Sequence, residues 1–190
     1  RNDNISKHFH LPVQSGSSKI LKAMNRKYDR KKYLSLINKI RERIPDAVIT
    51  TDFIVGFPGE TKADFEETLS LVEKVRFDMA CTFAYSQREG TPAAKKDNQI
   101  SSEEKHRRLQ ALMKKQNQMS YEVNQKLIGK EIDVLVEGES KKDPEYFAAR
   151  SDGNKLVIIP AKTKKLIGNI IKAKINEAGS WTLYGDIVNY

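Results

Sequence analysis

The 190-residue sequence predicts an α/β unit with parallel strands followed by a small all-β barrel, and three observations carry that prediction. Strand-like and helix-like patterns alternate from Phe9 to Tyr85. Three of the strand-like runs end in polar, glycine-bearing loops, namely Gln14-Ser15-Gly16-Ser17, Gly56-Phe57-Pro58-Gly59-Glu60-Thr61 and Ser86-Gln87-Arg88-Glu89-Gly90-Thr91-Pro92. From Gly129 onward the apolar period changes from helical to alternating. If the strands are parallel, the three loops gather at their carboxyl ends, where sheets and barrels of this kind place ligands. A site built from three loops is therefore expected.

The first strand, Phe9 to Val13, is short. Ser17 is placed to cap the helix through Ile20, Leu21 and Met24, its hydroxyl accepting from an unpaired N–H of the first turn. Asp29 caps the next helix, whose Tyr33, Ile37, Ile40 and Ile44 recur at helical spacing until Pro45 stops it. The second strand runs from Ala47 to Val55. Thr61 with Asp64 three residues on has the pattern of a capping box, for a helix that presents Phe65, Leu69 and Val72 on one face. The third strand, Met79 to Tyr85, carries Cys81, which reads as a small buried apolar residue. Alternating strands and helices imply right-handed crossovers and a parallel sheet. Three strands leave two raw edges. With an opening at Arg1-Asn2-Asp3-Asn4 and no initiating methionine, the chain reads as a fragment of a longer protein, its remaining strands upstream.

Lys95 to Gln99 is a polar joint. Ser101 and Glu104 then repeat the capping-box pattern and open a long helix to about Leu127, with Leu109, Leu112, Met113, Met119, Val123 and Leu127 as its buried candidates. That helix is expected to bridge two domains. Beyond it, Ile132 to Val136, Leu156 to Ile159, Ile171 to Ile175, Trp181 to Tyr184 and Ile187-Val188 read as five short strands, punctuated by Gly138, Asp152-Gly153, Gly168, Gly179 and Gly185. Strands of that number and length fit a closed OB-like barrel, because closure removes exposed edges. The domains are drawn as residues 1–100, 101–127 and 128–190.

Lys and Arg number 34 against 25 Asp and Glu, a net charge of +9, which suits a polyanionic partner. The excess is concentrated. Lys19 to Arg43 holds ten Lys or Arg against Asp29 and Glu42, whereas Ile128 to Tyr190 holds ten against nine acidic residues. The basic stretch reads either as two solvated helix faces or as part of a nucleic-acid footprint. A single cysteine excludes an internal disulfide and points to a reducing, cytoplasmic setting. No run approaches the ~20 apolar residues of a membrane-spanning helix.

Four stretches carry a family resemblance. His10-Leu11-Pro12-Val13-Gln14-Ser15-Gly16-Ser17, Met24-Asn25-Arg26-Lys27-Tyr28, Thr51 to Thr61 and Phe83 to Ala94 resemble, in order, motifs of the radical S-adenosylmethionine methylthiotransferases, and the last sixty residues resemble their TRAM domain. The fold implied is the last three strands of a partial (β/α) radical SAM barrel followed by a five-stranded TRAM β-barrel. Within the family the stretch His10 to Ser17 resembles the MiaB branch, which modifies tRNA; the sibling acting on a ribosomal protein usually has histidine at the place of Ser15. The resemblance implies methylthiolation at carbon 2 of N6-isopentenyladenosine at tRNA position 37, in the anticodon stem-loop, with S-adenosylmethionine and two 4Fe-4S clusters as cofactors. It departs from the family in lacking the Cys-x-x-x-Cys-x-x-Cys loop. Each cluster needs several thiolates and Cys81 is alone, so no cluster, no metal and no turnover are expected of this chain by itself. The alternatives are a sibling acting on a protein or another adenosine, and a non-catalytic RNA-binding module.

By the same resemblance, S-adenosylmethionine would meet Gln14 or Ser15 at its ribose, Ile54, Val55 and Gly56 at the adenine edge, and Phe83, Tyr85 and Ser86 at the other flank. Gly56 and Gly59 either let backbone approach a ligand or simply serve tight turns. Glu60 reads as a charge favouring a helix dipole. Asp52, inside an apolar strand, needs a partner or an open face, and His8 and His10 flank the first strand, where either can be held by a carboxylate. Arg88 is placed for a phosphate or the cofactor carboxylate. For RNA the barrel offers Lys141, Lys142, Arg150, Lys155, Lys162, Lys164 and Lys165, with Trp181 and Tyr146 as stacking platforms. The truncated sheet edge is expected to drive self-association.

Overall fold

The computed structural model describes residues 5–161 and 163–188, which form two compact units, Phe9–Met119 and Ser120–Tyr190 with Arg1–His8. Lys162 lies outside the described residues.

In the first unit the order is β1 (His8–His10), α1 (Ser18–Ala23), α2 (Arg30–Arg43), β2 (Val48–Val55), α3 (Lys62–Val75), β3 (Met79–Ala84) and the first part of α4 (Ser102–Gln125). The sheet runs β1-β2-β3, with β2 and β3 parallel and in register from Thr50 opposite Met79 to Val55 opposite Ala84. Side chains of a strand alternate between faces. Ile49, Thr51, Phe53 and Val55 are accordingly buried, in a core with Tyr33 and Ile37 of α2, Phe65, Leu71 and Val72 of α3, and Leu112 of α4. Phe53 and Phe77 meet edge to face at 5.6 Å, an arrangement that adds about 0.5–1.5 kcal/mol to their burial.

Among the described residues of this unit no helix covers the opposite face. Cys81 is exposed there, beside Met79 and Phe83, which corrects its reading as a buried residue. The reason is register: Cys81 stands opposite Asp52, on the side of the sheet away from the helices.

Local chemistry fixes the helix starts. The Asp29 side chain accepts from the Lys32 N–H at 2.7 Å, and Thr61 with Asp64 forms a complete capping box. Ser17 occupies the N-cap of α1 but makes no side-chain cap; its hydroxyl donates instead to Asp64 Oδ1 at 2.8 Å. Ser101 accepts from the Glu104 N–H, while the Glu104 carboxylate turns to Arg107 and Arg108 rather than closing the box. In α4 Leu112 and Met119 are buried as expected, but Met113 is exposed and the polar Arg108 and Gln116 share the buried stripe. The Gln116 amide is held there by donating to the Phe77 carbonyl at 2.9 Å.

The second unit is a closed barrel of β4 (Glu131–Glu139), β5 (Tyr146–Ser151), β6 (Leu156–Pro160), β7 (Ile170–Ala178) and β8 (Thr182–Ile187), in the order β4-β5-β6-β8-β7. Val134, Val136, Phe147, Val157, Ile159, Ala173, Ile175 and Leu183 fill it. The strand count agrees with the sequence and its composition does not. Tyr146–Ser151 is a strand of its own, and Thr182–Ile187 runs unbroken through Gly185. That glycine is needed because a Cβ would lie 2.4 Å from the Lys174 carbonyl oxygen on β7. The side-chain amides of Asn124 and Gln125 donate to Gly179 and Ala178 carbonyls.

Candidate functional site

The turn at Gln14, strand β2 and the end of β3 with its following loop meet at one pocket, to which the Gly56 to Thr61 loop contributes no lining residue. Gln14, Asp52, Ile54 and the run Phe83 to Ser86 line one pocket of about 540 Å³, with Arg88 and Thr91 from the loop that follows β3. Gln14 is held at a positive φ of 74°, in the left-handed region that costs a non-glycine residue about 1–3 kcal/mol. Its backbone is pinned by an N–H to the Asp52 carbonyl and a carbonyl accepting from Ile54, so the chain holds this side chain at the pocket against local preference. His10 Nδ1 meets Thr50 Oγ1 at 3.0 Å and its Nε2 lies 3.5 Å from Asp52, which is thereby paired on the open face of the sheet. Tyr85 packs edge to face on Phe57 at 5.2 Å, under the Lys105 ammonium at 5.2 Å from its ring, and its buried hydroxyl has no hydrogen-bond partner among the described residues.

Not every candidate reaches the pocket. Ser15 is fully buried, its hydroxyl 3.5 Å from that of Thr68 and accepting from the Ser17 N–H, so it organises the turn. Val55 is buried in the core. The Gly56 N–H donates to Glu60 Oε1 at 3.1 Å, and at φ 72° a Cβ there would lie 2.4 Å from Lys105 Cγ. Turn conformation and this packing require glycine at that position. Gly59 is alike, with φ 80° and the Asn98 amide 2.5 Å from where a Cβ would stand.

Glu60 carries more than a helix-end charge. It is buried, and Arg108 donates to its carboxylate at 2.7 Å and to its carbonyl at 2.9 Å, while Arg108 Nε reaches Glu104 at 2.7 Å. Burial pushes the Glu60 carboxyl up, against the opposing pull of Arg108 and the Gly56 N–H. Asp64 behaves oppositely. Burial would raise it, but the bonds from Lys19, Thr61 and Ser17 outweigh that and hold it well below the usual carboxylate range. These two acids lock the turn beside the pocket from both ends.

On the barrel, Lys141, Lys142 and Arg150 line an outer cleft with Tyr146 and Tyr184, over Ile158 and Ala148. Trp181 is 56 % exposed. Lys165 is exposed, whereas Lys164 pairs with Glu139 at 2.8 Å and Arg150 with Glu137 at 3.2 Å. Lys155 is tied to Asn124 at 2.8 Å and serves the fold. Tyr184 is absent from the sequence-based set. The signal for it was the alternation running through Gly185, which places it on the outer face beside Ile158.

Fit to the cofactors divides. The pocket offers S-adenosylmethionine a polar side chain, apolar flanks and a guanidinium, which suits it. A 4Fe-4S cluster finds one thiol in the sequence and, among the described residues, no group of three or more His, Cys, Asp or Glu able to hold a metal. The residues present do not fit a cluster.

The Radical SAM superfamily profile matches residues 3–72 and the TRAM domain profile residues 125–188. The chain thus joins a partial radical SAM unit to a TRAM domain. It is 50 % identical over 98 % of its length to the tRNA-2-methylthio-N(6)-dimethylallyladenosine synthase of Acetivibrio thermocellus, and 53 % identical over 97 % to that of Bacillus mycoides. It covers 38 % and 36 % of those proteins, so it spans under two fifths of the relatives it matches. Along that span it is similar to those synthases. Among solved structures, coproporphyrinogen III oxidase of Escherichia coli, a radical SAM enzyme, shares the fold, with a TM-score of 0.52 at 17 % identity over 77 % of this chain and 41 % of that one.

Proposed function

We propose that this chain is part of a tRNA-modifying enzyme that inserts a methylthio group at carbon 2 of N6-isopentenyladenosine at position 37, in the anticodon stem-loop. The observation that carries this reading is the 50 to 53 % identity to synthases of that name along nearly the whole chain. S-adenosylmethionine, when bound, supplies the radical chemistry. The residues that would hold it are Gln14, whose amide can both donate and accept, toward the ribose diol, Ile54 at the adenine edge, Phe83, Tyr85 and Ser86 at its other flank, and Arg88 toward the carboxylate. Ser15, Val55 and Gly56 shape the turns that present these groups. Two clusters would sit on cysteines outside this stretch.

Lys141, Lys142, Arg150, Lys165 and Trp181 contact the tRNA stem in this reading, chiefly at its backbone, and the division at residues 1–100, 101–127 and 128–190 separates the cofactor-facing and RNA-facing parts. The setting is the cytoplasm, and no helix of the described residues is long and apolar enough to cross a membrane. The test uses the full-length protein, reconstituted anaerobically with iron and sulfide and given isopentenylated tRNA, S-adenosylmethionine and reductant. Mass spectrometry of digested nucleosides should find the 2-methylthio product. Unmodified tRNA with a methylthiolated ribosomal protein would move the reading to the sibling enzyme.

A further inference from the structure

We infer that the α/β unit has its own RNA-binding surface, the basic face of α1, α2 and the turn between them, which grips the phosphodiester backbone of a folded RNA independently of the barrel. This inference rests on the tRNA reading above and adds a second contact surface to it. Lys22, Arg26, Lys31, Lys32, Lys39 and Arg43 are all exposed, and none takes part in an ion pair among the described residues. Lys31, Ser35 and Lys39 line a groove with Arg30 and, from α3, Lys74, where Glu42 is the sole acidic group. Four-residue spacing stacks Lys31, Ser35 and Lys39 at ~6 Å intervals along one helix face.

Fold stability does not account for this placement. The first turn of α2 has Arg30, Lys31 and Lys32 and no acidic residue, and its N-cap is Asp29 alone. Cations at a helix N-terminus oppose the macrodipole by about 0.3–1 kcal/mol each. Arg30 recovers this through bonds to the Gly16 carbonyl and Ser70. Among the described residues Lys31 and Lys32 have no such side-chain partner, so their charge is unspent there. A polyanion supplies what the fold leaves out: phosphates neutralise the cations, release counterions and meet the positive end of the helix. The basic excess of the sequence lies here and not in the barrel, which has ten basic against nine acidic residues from Ile128 to Tyr190, so this surface adds attraction for a polyanion that the barrel's net charge does not supply.

The test measures binding of this 190-residue chain to a synthetic anticodon stem-loop, and to a hairpin of unrelated sequence, across a salt series. Replacing Lys31, Lys32 and Lys39 together by Ala should weaken binding about tenfold or more near 0.1 M salt and make the slope of log K against log salt shallower by about two to three, for both hairpins alike. Lys22→Ala with Arg26→Ala, on the preceding turn, should flatten it by a further one to two, about one per cation, and circular dichroism should show both variants folded. An unchanged slope in these variants, with a loss on replacing Lys141, Lys142 and Lys165, would overturn this inference and leave the tRNA reading intact. Failure of the unaltered chain to bind either hairpin would overturn this inference, while the tRNA reading is decided separately by the modification assay on the full-length protein.

Discussion

Arg108 and Glu60 are separated by 48 residues and joined by a 2.7 Å bond in a buried site, and the Gly56 turn hangs on that pair. Removing one partner leaves an uncompensated buried charge. Arg108→Met should therefore cost about 3–5 kcal/mol of unfolding free energy in urea, and the double variant Glu60→Gln with Arg108→Met should recover much of it. The sequence alone reads Glu60 as a helix-end charge because its partner lies far along the chain, and no local pattern announces it. Cys81 shows the same limit. Its strand was legible, but which face the helices cover was not, and the thiol proves to be exposed. The folded chain should react with a thiol reagent at one site without denaturant; protection until unfolding would contradict the open face.

Helix α3 is where local chemistry and tertiary structure meet. Asp64 closes the capping box three residues from Thr61 and also receives Lys19 at 2.6 Å and Ser17 at 2.8 Å. Its folded carboxyl titrates below its ordinary value of 3.8, so these bonds stabilise the ionised form, in full above that pH, and are lost as the pH falls below it. Asp64→Asn should lower the melting temperature at neutral pH by the equivalent of about 0.5–2 kcal/mol, and the gap to the parent should close as the pH drops below ~4. A gap that stays constant into acid would show that the charge is not what matters. The caps at Asp29 and Thr61 were legible because the bonded atoms lie three residues apart. Ser17 was not, since its hydroxyl is drawn to an acid 47 residues away, and strand Tyr146–Ser151 was not, since Arg150 and Ser151 interrupt its apolar pattern.

At the scale of the α/β unit, two of the three loops, at Gln14 and after β3, share one pocket as similar strand ends in a parallel sheet lead one to expect, while the Gly56 to Thr61 loop supplies none of its lining and β2 reaches it through Asp52 and Ile54 instead. What each loop residue does was less legible, as Ser15 and Gly56 show. The uncovered sheet face with Met79, Cys81 and Phe83 predicts self-association, and sedimentation equilibrium should show a mass that rises with concentration; a concentration-independent monomer would count against it. The cradle itself is tested most directly by equilibrium binding of S-adenosylmethionine to the reconstituted full-length protein. Gln14→Asn, which tolerates the left-handed backbone, combined with Phe83→Ala at an exposed position, should weaken that binding at least about tenfold, the ~1.4 kcal/mol that one lost polar contact and one lost apolar flank together exceed. Unaltered affinity would contradict the assignment of these strand ends to the cofactor.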